Sequence, residues 1–149
     1  IDIARECITE FGKELLHKDD NFYLIYIKDH LLQLIEHDLR DYRVHFDAWF
    51  SEKSLHEDGS VLAALKMLQD KGLMYDKDGA YWFKSSDFGD DKDRVVKKQD
   101  GSYTYIASDI AYHKKKFDEK FDIIIDILGH DHHGYVKRLK ATMLSLGYN

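Results

Sequence analysis

The chain has 149 residues, 28 acidic against 22 basic side chains, and no proline, where about seven prolines are ordinary for this length; fibrous, collagen-like and Pro-rich linker proteins are excluded. A net charge of −6 argues against autonomous, non-specific nucleic-acid binding, and a single cysteine rules out an intramolecular disulfide framework. The composition, 44% hydrophobic and 34% charged, suits one globular chain long enough to bury a core, and no apolar run reaches the roughly 18–20 residues of a membrane span.

Residues 3–17 predict an amphipathic helix, with Ile3, Cys7, Ile8, Phe11 and Leu15 at helical spacing. Cys7 lies on that apolar stripe and reads as packing rather than as a nucleophile. A second helix is expected over 22–40, capped by Asn21, with Leu24, Ile27, Leu31, Leu34, Ile35 and Leu39 inward. The alternation of residues 43–50 predicts a strand carrying Trp49.

A three-turn helix follows from Ser60, closed by Gly72. Asp78-Gly79 between Leu73-Met74-Tyr75 and Tyr81-Trp82-Phe83 is a hairpin signal. A second hairpin is expected about Asp100-Gly101, between residues 94–97 and 103–106. Ser108 is expected to start a helix to about Glu119, Asp122 to Leu128 to form a buried strand, and Gly134 to Leu146 to form a helix closed by Gly147. Helix, strand, glycine loop and helix together form a piece of an open α/β sheet.

The charge divides unevenly: residues 1–70 carry net −7 and residues 71–149 net +1. The expected organisation is a mainly helical part with one strand over 1–72 and a part with hairpins and helix–strand–helix over 73–149, joined in one compact unit.

Three constellations carry potential chemistry. Gly129-His130-Asp131-His132-His133-Gly134 follows the expected buried strand, where ligands bind in open α/β sheets. Three imidazoles and a carboxylate suit metal binding, proton delivery, or hydrogen bonds to a ribose or phosphate. Tyr105 and Asp109 flank the expected helix start. A fixed carboxylate there can hold a guanidinium bidentately, although spacing alone favours a helix-start carboxylate and a half-buried tyrosine. Asp90 and Asp91, in the charged loop after Gly89, suit Mg²⁺ or, by default, local ion pairs. The Lys114-Lys115-Lys116 run reads as a wet helix face, or else as a phosphate contact. Trp49 and Trp82 read as core.

Taken in order, residues 46–52, 78–83, 88–95, 100–105, 109–113 and 129–135 resemble the arginyl-tRNA synthetases, class I aminoacyl-tRNA synthetases. The motifs are Phe46-Asp47-Ala48-Trp49-Phe50-Ser51-Glu52, Asp78-Gly79-Ala80-Tyr81-Trp82-Phe83, Phe88-Gly89-Asp90-Asp91-Lys92-Asp93-Arg94-Val95, Asp100-Gly101-Ser102-Tyr103-Thr104-Tyr105, Asp109-Ile110-Ala111-Tyr112-His113 and Gly129-His130-Asp131-His132-His133-Gly134-Tyr135. The resemblance spans the whole chain and its specificity lies in the ordered set.

It implies an α/β fold, a partial Rossmann-like catalytic core with a helical and β-hairpin insertion. It implies ATP-dependent activation of L-arginine and transfer to tRNA(Arg), in a cytoplasmic enzyme with no membrane partner, with Mg²⁺ accompanying ATP. The arginine site carries over to Tyr105, Asp109 and Asp131, and the ATP side to Gly129, His132 and His133, with no resident metal. His130 departs from the small residue expected at its place. The HIGH-type and KMSKS-type motifs and the tRNA-binding domains are expected outside this stretch, so the chain alone is expected to be inactive. Two other readings compete: a metal-dependent phosphoesterase using Asp131-His132-His133, and a non-catalytic binding module whose acidic first half meets a protein.

Overall fold

The computed structural model describes residues 3–132 and 134–148. Its internal contacts divide the chain into two compact units, Ile1–Trp49 and Phe50–Asn149. The expected 72/73 boundary falls inside the second unit.

The first unit holds helix α1 (Ile3–Phe11), a 3-10 turn (Gly12–His17) and helix α2 (Asp20–Asp41). The α2 cap is Asp19, not Asn21: its carboxylate accepts from the Phe22 N–H at 2.9 Å. Phe11 packs edge-on against Phe22 and Tyr26, His30 pairs with Glu6 at 2.6 Å, and the Tyr26 hydroxyl donates to Glu10. Cys7 is buried beside a cleft of about 280 Å³ lined by Ile3, Ile8, Leu15, Tyr23 and Ile27. The predicted inward stripe of α2 is a correction: Leu24, Ile27, Leu31 and Ile35 are exposed. The face turned to α1 is largely the aromatic one, through Phe22 and Tyr26, with Ile27 at the edge of the Cys7 cleft.

The predicted strand over 43–50 is also absent. Arg43 has φ +61°, and the chain turns back through the Val44 N–H to the Leu39 carbonyl at 2.8 Å. With no neighbouring strand to complete a ladder, the alternating residues remain irregular and Trp49 is exposed.

In the second unit, α3 (Lys53–Glu57) was not anticipated; it is one turn long and buries Leu55. Helix α4 (Ser60–Asp70) starts where Asp58 accepts from the Ser60 N–H and buries Val61, Leu65 and Leu68 at helical spacing. Strands β1 (Met74–Lys77) and β2 (Ala80–Phe83) form the expected hairpin. Asp78 and Gly79 both have positive φ, as a two-residue primed turn requires. Strand β3 (Arg94–Lys97) pairs antiparallel with β2, completing a three-stranded sheet in the order β1-β2-β3. The far arm of the expected second hairpin shrinks to one bridge, Lys97 to Tyr103.

The reason is that helix α5 (Tyr105–Asp118) begins three residues before Ser108, with Thr104 as its N-cap residue. Helix α6 (Tyr135–Leu146) follows Gly134 and ends at Gly147, as expected. The core lies between α4, α5, α6 and one sheet face: Leu68, Ile110, Ala107, Phe83 and Val96 are all fully buried. Trp82 faces away from it, stacking on Tyr75.

The buried strand expected over 122–128 is a further correction. Its backbone pairs with no described strand, and Ile123, Ile125 and Ile127 are 77%, 78% and 95% exposed. An apolar run makes a strand only where another strand takes its N–H and C=O groups. No described helix is long and apolar enough to cross a membrane.

Candidate active site

Helix α5 arranges the site. Tyr105, Asp109 and His113 follow at intervals of four and therefore share one face. Tyr105 is the first helical residue rather than the end of a strand, and at 85% exposure its ring stands in solvent. Asp109 lies in the second turn, not in a first turn capped by Ser108. The Ser108 hydroxyl instead meets His56 Nε2 at 3.0 Å.

The Asp109 carboxylate is half-buried and accepts no hydrogen bond from the described residues. Burial pushes its pKa above the ordinary carboxylate value; the charge on His113 works against that rise, Glu52 adds to it and Arg138 of α6 opposes it. It is an anion kept partly out of water without a direct partner, which is the condition of a receptor for a cationic ligand.

Arg138 was not singled out from sequence. Its guanidinium lies over the Tyr135 ring at 4.8 Å, and its Nε is buried with no hydrogen-bond partner. His113 was quoted only as part of a motif. It is buried, with Nδ1 2.9 Å from the Asp109 carbonyl and Nε2 3.1 Å from Asp126 Oδ2. A clue to it lay in the sequence, since it is four residues beyond Asp109 and eight beyond Tyr105.

The glycine loop forms a 3-10 turn over His130–His132, with the His132 N–H on the Gly129 carbonyl. Asp131 and His132 are exposed, and their side chains approach to 3.4 Å. A Cβ on Gly129 would come within 2.7 Å of Asp131 Oδ1, and the exposed Asp131 side chain would have to swing aside to admit it. His130 is exposed too. His133 lies outside the described residues. Among the described residues no hydrogen bond or ion pair joins Tyr105 or Asp109 to Gly129, Asp131 or His132.

The charged loop is resolved in favour of ion pairing. Asp90 is buried and takes Arg94 at two points, 2.8 Å from Nε and 2.7 Å from Nη2; Asp91 also meets Arg94 Nη2. Both carboxylates are thus committed, and Asp90 is held well below the usual carboxylate range by that hydrogen-bonded guanidinium. The lysine run is equally committed: Lys114 pairs with Asp118, Lys115 with Glu119, and Lys116 with Asp126 at 2.6 Å. No group of three His, Cys, Asp or Glu side chains among the described residues suits a metal ion.

The family described as class I tRNA synthetases (R), catalytic domain, matches residues 2–149. The chain belongs to the arginyl-tRNA synthetase family. An arginine–tRNA ligase of Oceanobacillus iheyensis is 49% identical over 99% of this chain, and one of Shouchella clausii is 48% identical over all of it. A crystal structure from Campylobacter jejuni, provisionally assigned as an arginyl-tRNA synthetase, superposes with a TM-score of 0.89 at 38% identity over 99% of the chain. The chain spans about a quarter of the ligases it matches, 27% and 28%, and 32% of the Campylobacter chain. It is thus a fragment of an arginyl-tRNA synthetase catalytic domain, built here from helices and a small antiparallel sheet.

Proposed function

We propose that this stretch supplies the amino-acid pocket of an arginine–tRNA ligase, which activates L-arginine with ATP and passes it to tRNA(Arg). The observation that carries the reading is Asp109: a half-buried carboxylate without a hydrogen-bonded partner among the described residues, on a helix face shared with Tyr105. A guanidinium binds such a group through two parallel N–H···O bonds and repairs its desolvation. The exposed Tyr105 ring stands one turn away as a lid for the aliphatic stem or a hydroxyl partner. Asp131 belongs to the same pocket through the α-amino end of the substrate. Gly129, His132 and His133 border ATP, with close backbone approach at Gly129.

On this reading residues 122–128 form a strand of a Rossmann-like sheet completed by other parts of the catalytic domain. Mg²⁺ arrives with the ATP phosphates. The described carboxylates do not fit a resident divalent cation, since Asp90 and Asp91 are taken by Arg94 and Asp126 by Lys116 and His113. The same commitments disfavour the phosphoesterase reading. A cytoplasmic setting, with no membrane partner, follows from the role in translation.

The test is arginine-dependent adenylate formation by the ligase that carries this chain. Asp109→Asn is expected to raise the arginine KM by about 10- to 150-fold, the worth of a charged hydrogen bond, and to leave the ATP KM unchanged. In the wild type the arginine KM rises as pH falls through the raised Asp109 pKa, because the protonated acid cannot hold a guanidinium. An unchanged arginine KM in Asp109→Asn overturns the reading. The 149-residue chain alone is expected to charge no tRNA.

A further inference from the structure

Both ring nitrogens of buried His113 face oxygens that can only accept: Nδ1 meets the Asp109 carbonyl at 2.9 Å and Nε2 meets the Asp126 carboxylate at 3.1 Å. A neutral imidazole has one N–H and one lone pair, so it would leave one of these contacts as lone pair against lone pair. Only the imidazolium donates to both. Asp126 is the matching anion. Burial raises its pKa, but Lys116, hydrogen-bonded at 2.6 Å, and the charges of His113 and Lys116 bring it below the ordinary value.

The placement of this pair gives it a consequence. Residues 122–128 form no strand, and their isoleucines at 123, 125 and 127 are exposed. Asp126 is the side chain in this segment that hydrogen-bonds α5. It sits three residues before Gly129, where the loop carrying Asp131 and His132 begins. The other end of the contact is the carbonyl of Asp109 itself.

We propose that His113 is a positioning residue: its imidazolium, clamped between the Asp109 carbonyl and Asp126, ties the 122–128 segment to α5 and so sets the glycine loop against the Asp109 carboxylate. This rests on the arginine-pocket reading given above. The groups facing His113 are Asp109, Tyr112 and Lys116 from α5 and Asp126 from the segment, with Arg138 of α6 and Glu52 acting on Asp109. Removing either partner of the His113–Asp126 contact unties the segment from α5, so arginine binding weakens.

The experiment compares wild type, His113→Asn, Asp126→Asn and Asp109→Asn ligases for arginine and ATP KM and kcat. His113→Asn and Asp126→Asn are expected to raise the arginine KM by about tenfold, within the range of couplings carried by supporting residues. They should leave kcat and the ATP KM nearly unchanged, a split that general loss of structure would not give. A second readout is direct: ¹⁵N spectra of the His113 ring are expected to show two protonated nitrogens at neutral pH, with one lost in Asp126→Asn. A neutral ring in wild type overturns the clamp whatever the kinetics show. A charged ring with an arginine KM unchanged in both clamp variants overturns the positioning role. Failure of Asp109→Asn to alter arginine binding sinks the pocket reading instead, without touching the ring spectra. Asp126→Asn, in an exposed segment, keeps the test open if His113→Asn does not fold.

Discussion

Asp90 and Asp109 show how two carboxylates of one chain diverge. The Asp90 side chain is fully buried, but Arg94 holds it from two nitrogens and the Asp91 N–H donates to it at 2.8 Å. It therefore stays ionised and stabilises the fold. Breaking a buried pair leaves a lone charge, so Asp90→Ala is expected to cost about 3 kcal/mol in urea unfolding. The linkage sign is that of a depressed acid: the stabilisation is complete above the ordinary carboxylate range and is lost as pH falls through and below it. Asp109 runs the other way. Its raised pKa means that the folded protein tolerates the charge poorly until a cation arrives, the balance expected of a binding group rather than a structural one.

Among elements, legibility followed local chemistry. Asp78-Gly79 fixed a hairpin because a two-residue primed turn demands positive φ at both positions, and both have it. Gly72 and Gly147 marked helix ends for the same reason, with φ +71° and +102°. The two strands that failed, 43–50 and 122–128, had the right apolar pattern but no described partner, and pairing is not a local property. The start of α5 slipped by three residues because Ser108 resembles a cap, while its hydroxyl was needed by His56 at 3.0 Å. In the site, Tyr105 and Asp109 were reached through the family resemblance. His113 and Arg138 were not, since their importance comes from burial and from contacts far along the chain. One such contact joins two helix ends: Lys71, just past α4, donates to the carbonyls of Ser145 and Leu146 at 2.9 and 2.6 Å. These are unsatisfied C-terminal carbonyls at the negative end of α6. Lys71→Met is expected to lower stability by about 1 kcal/mol, read as a fall in the thermal midpoint; no shift would show that water replaces the ammonium.

At the scale of the molecule, the buried apolar cluster lies in residues 50–149, whereas among the described residues of the first unit Cys7 alone is buried. The proposed chemistry lies beside the core: α5 is packed on α4 and α6, and its remaining face carries Tyr105 and Asp109 of the proposed pocket. The exposed run of isoleucines beside it has one more consequence. Five of the seven residues 122–128 are aliphatic, none is proline or glycine, and the backbone pairs with no described strand, a pattern that favours self-stacking wherever the segment is left uncovered. Asp126 interrupts it. In-register stacking would set identical carboxylates about 4.8 Å apart, where they repel. Asp126 is thus expected to act as a gatekeeper against such stacking as well. Asp126→Val is expected to shorten the lag of thioflavin-T-positive aggregation, and an unaltered lag would strip Asp126 of the gatekeeper role.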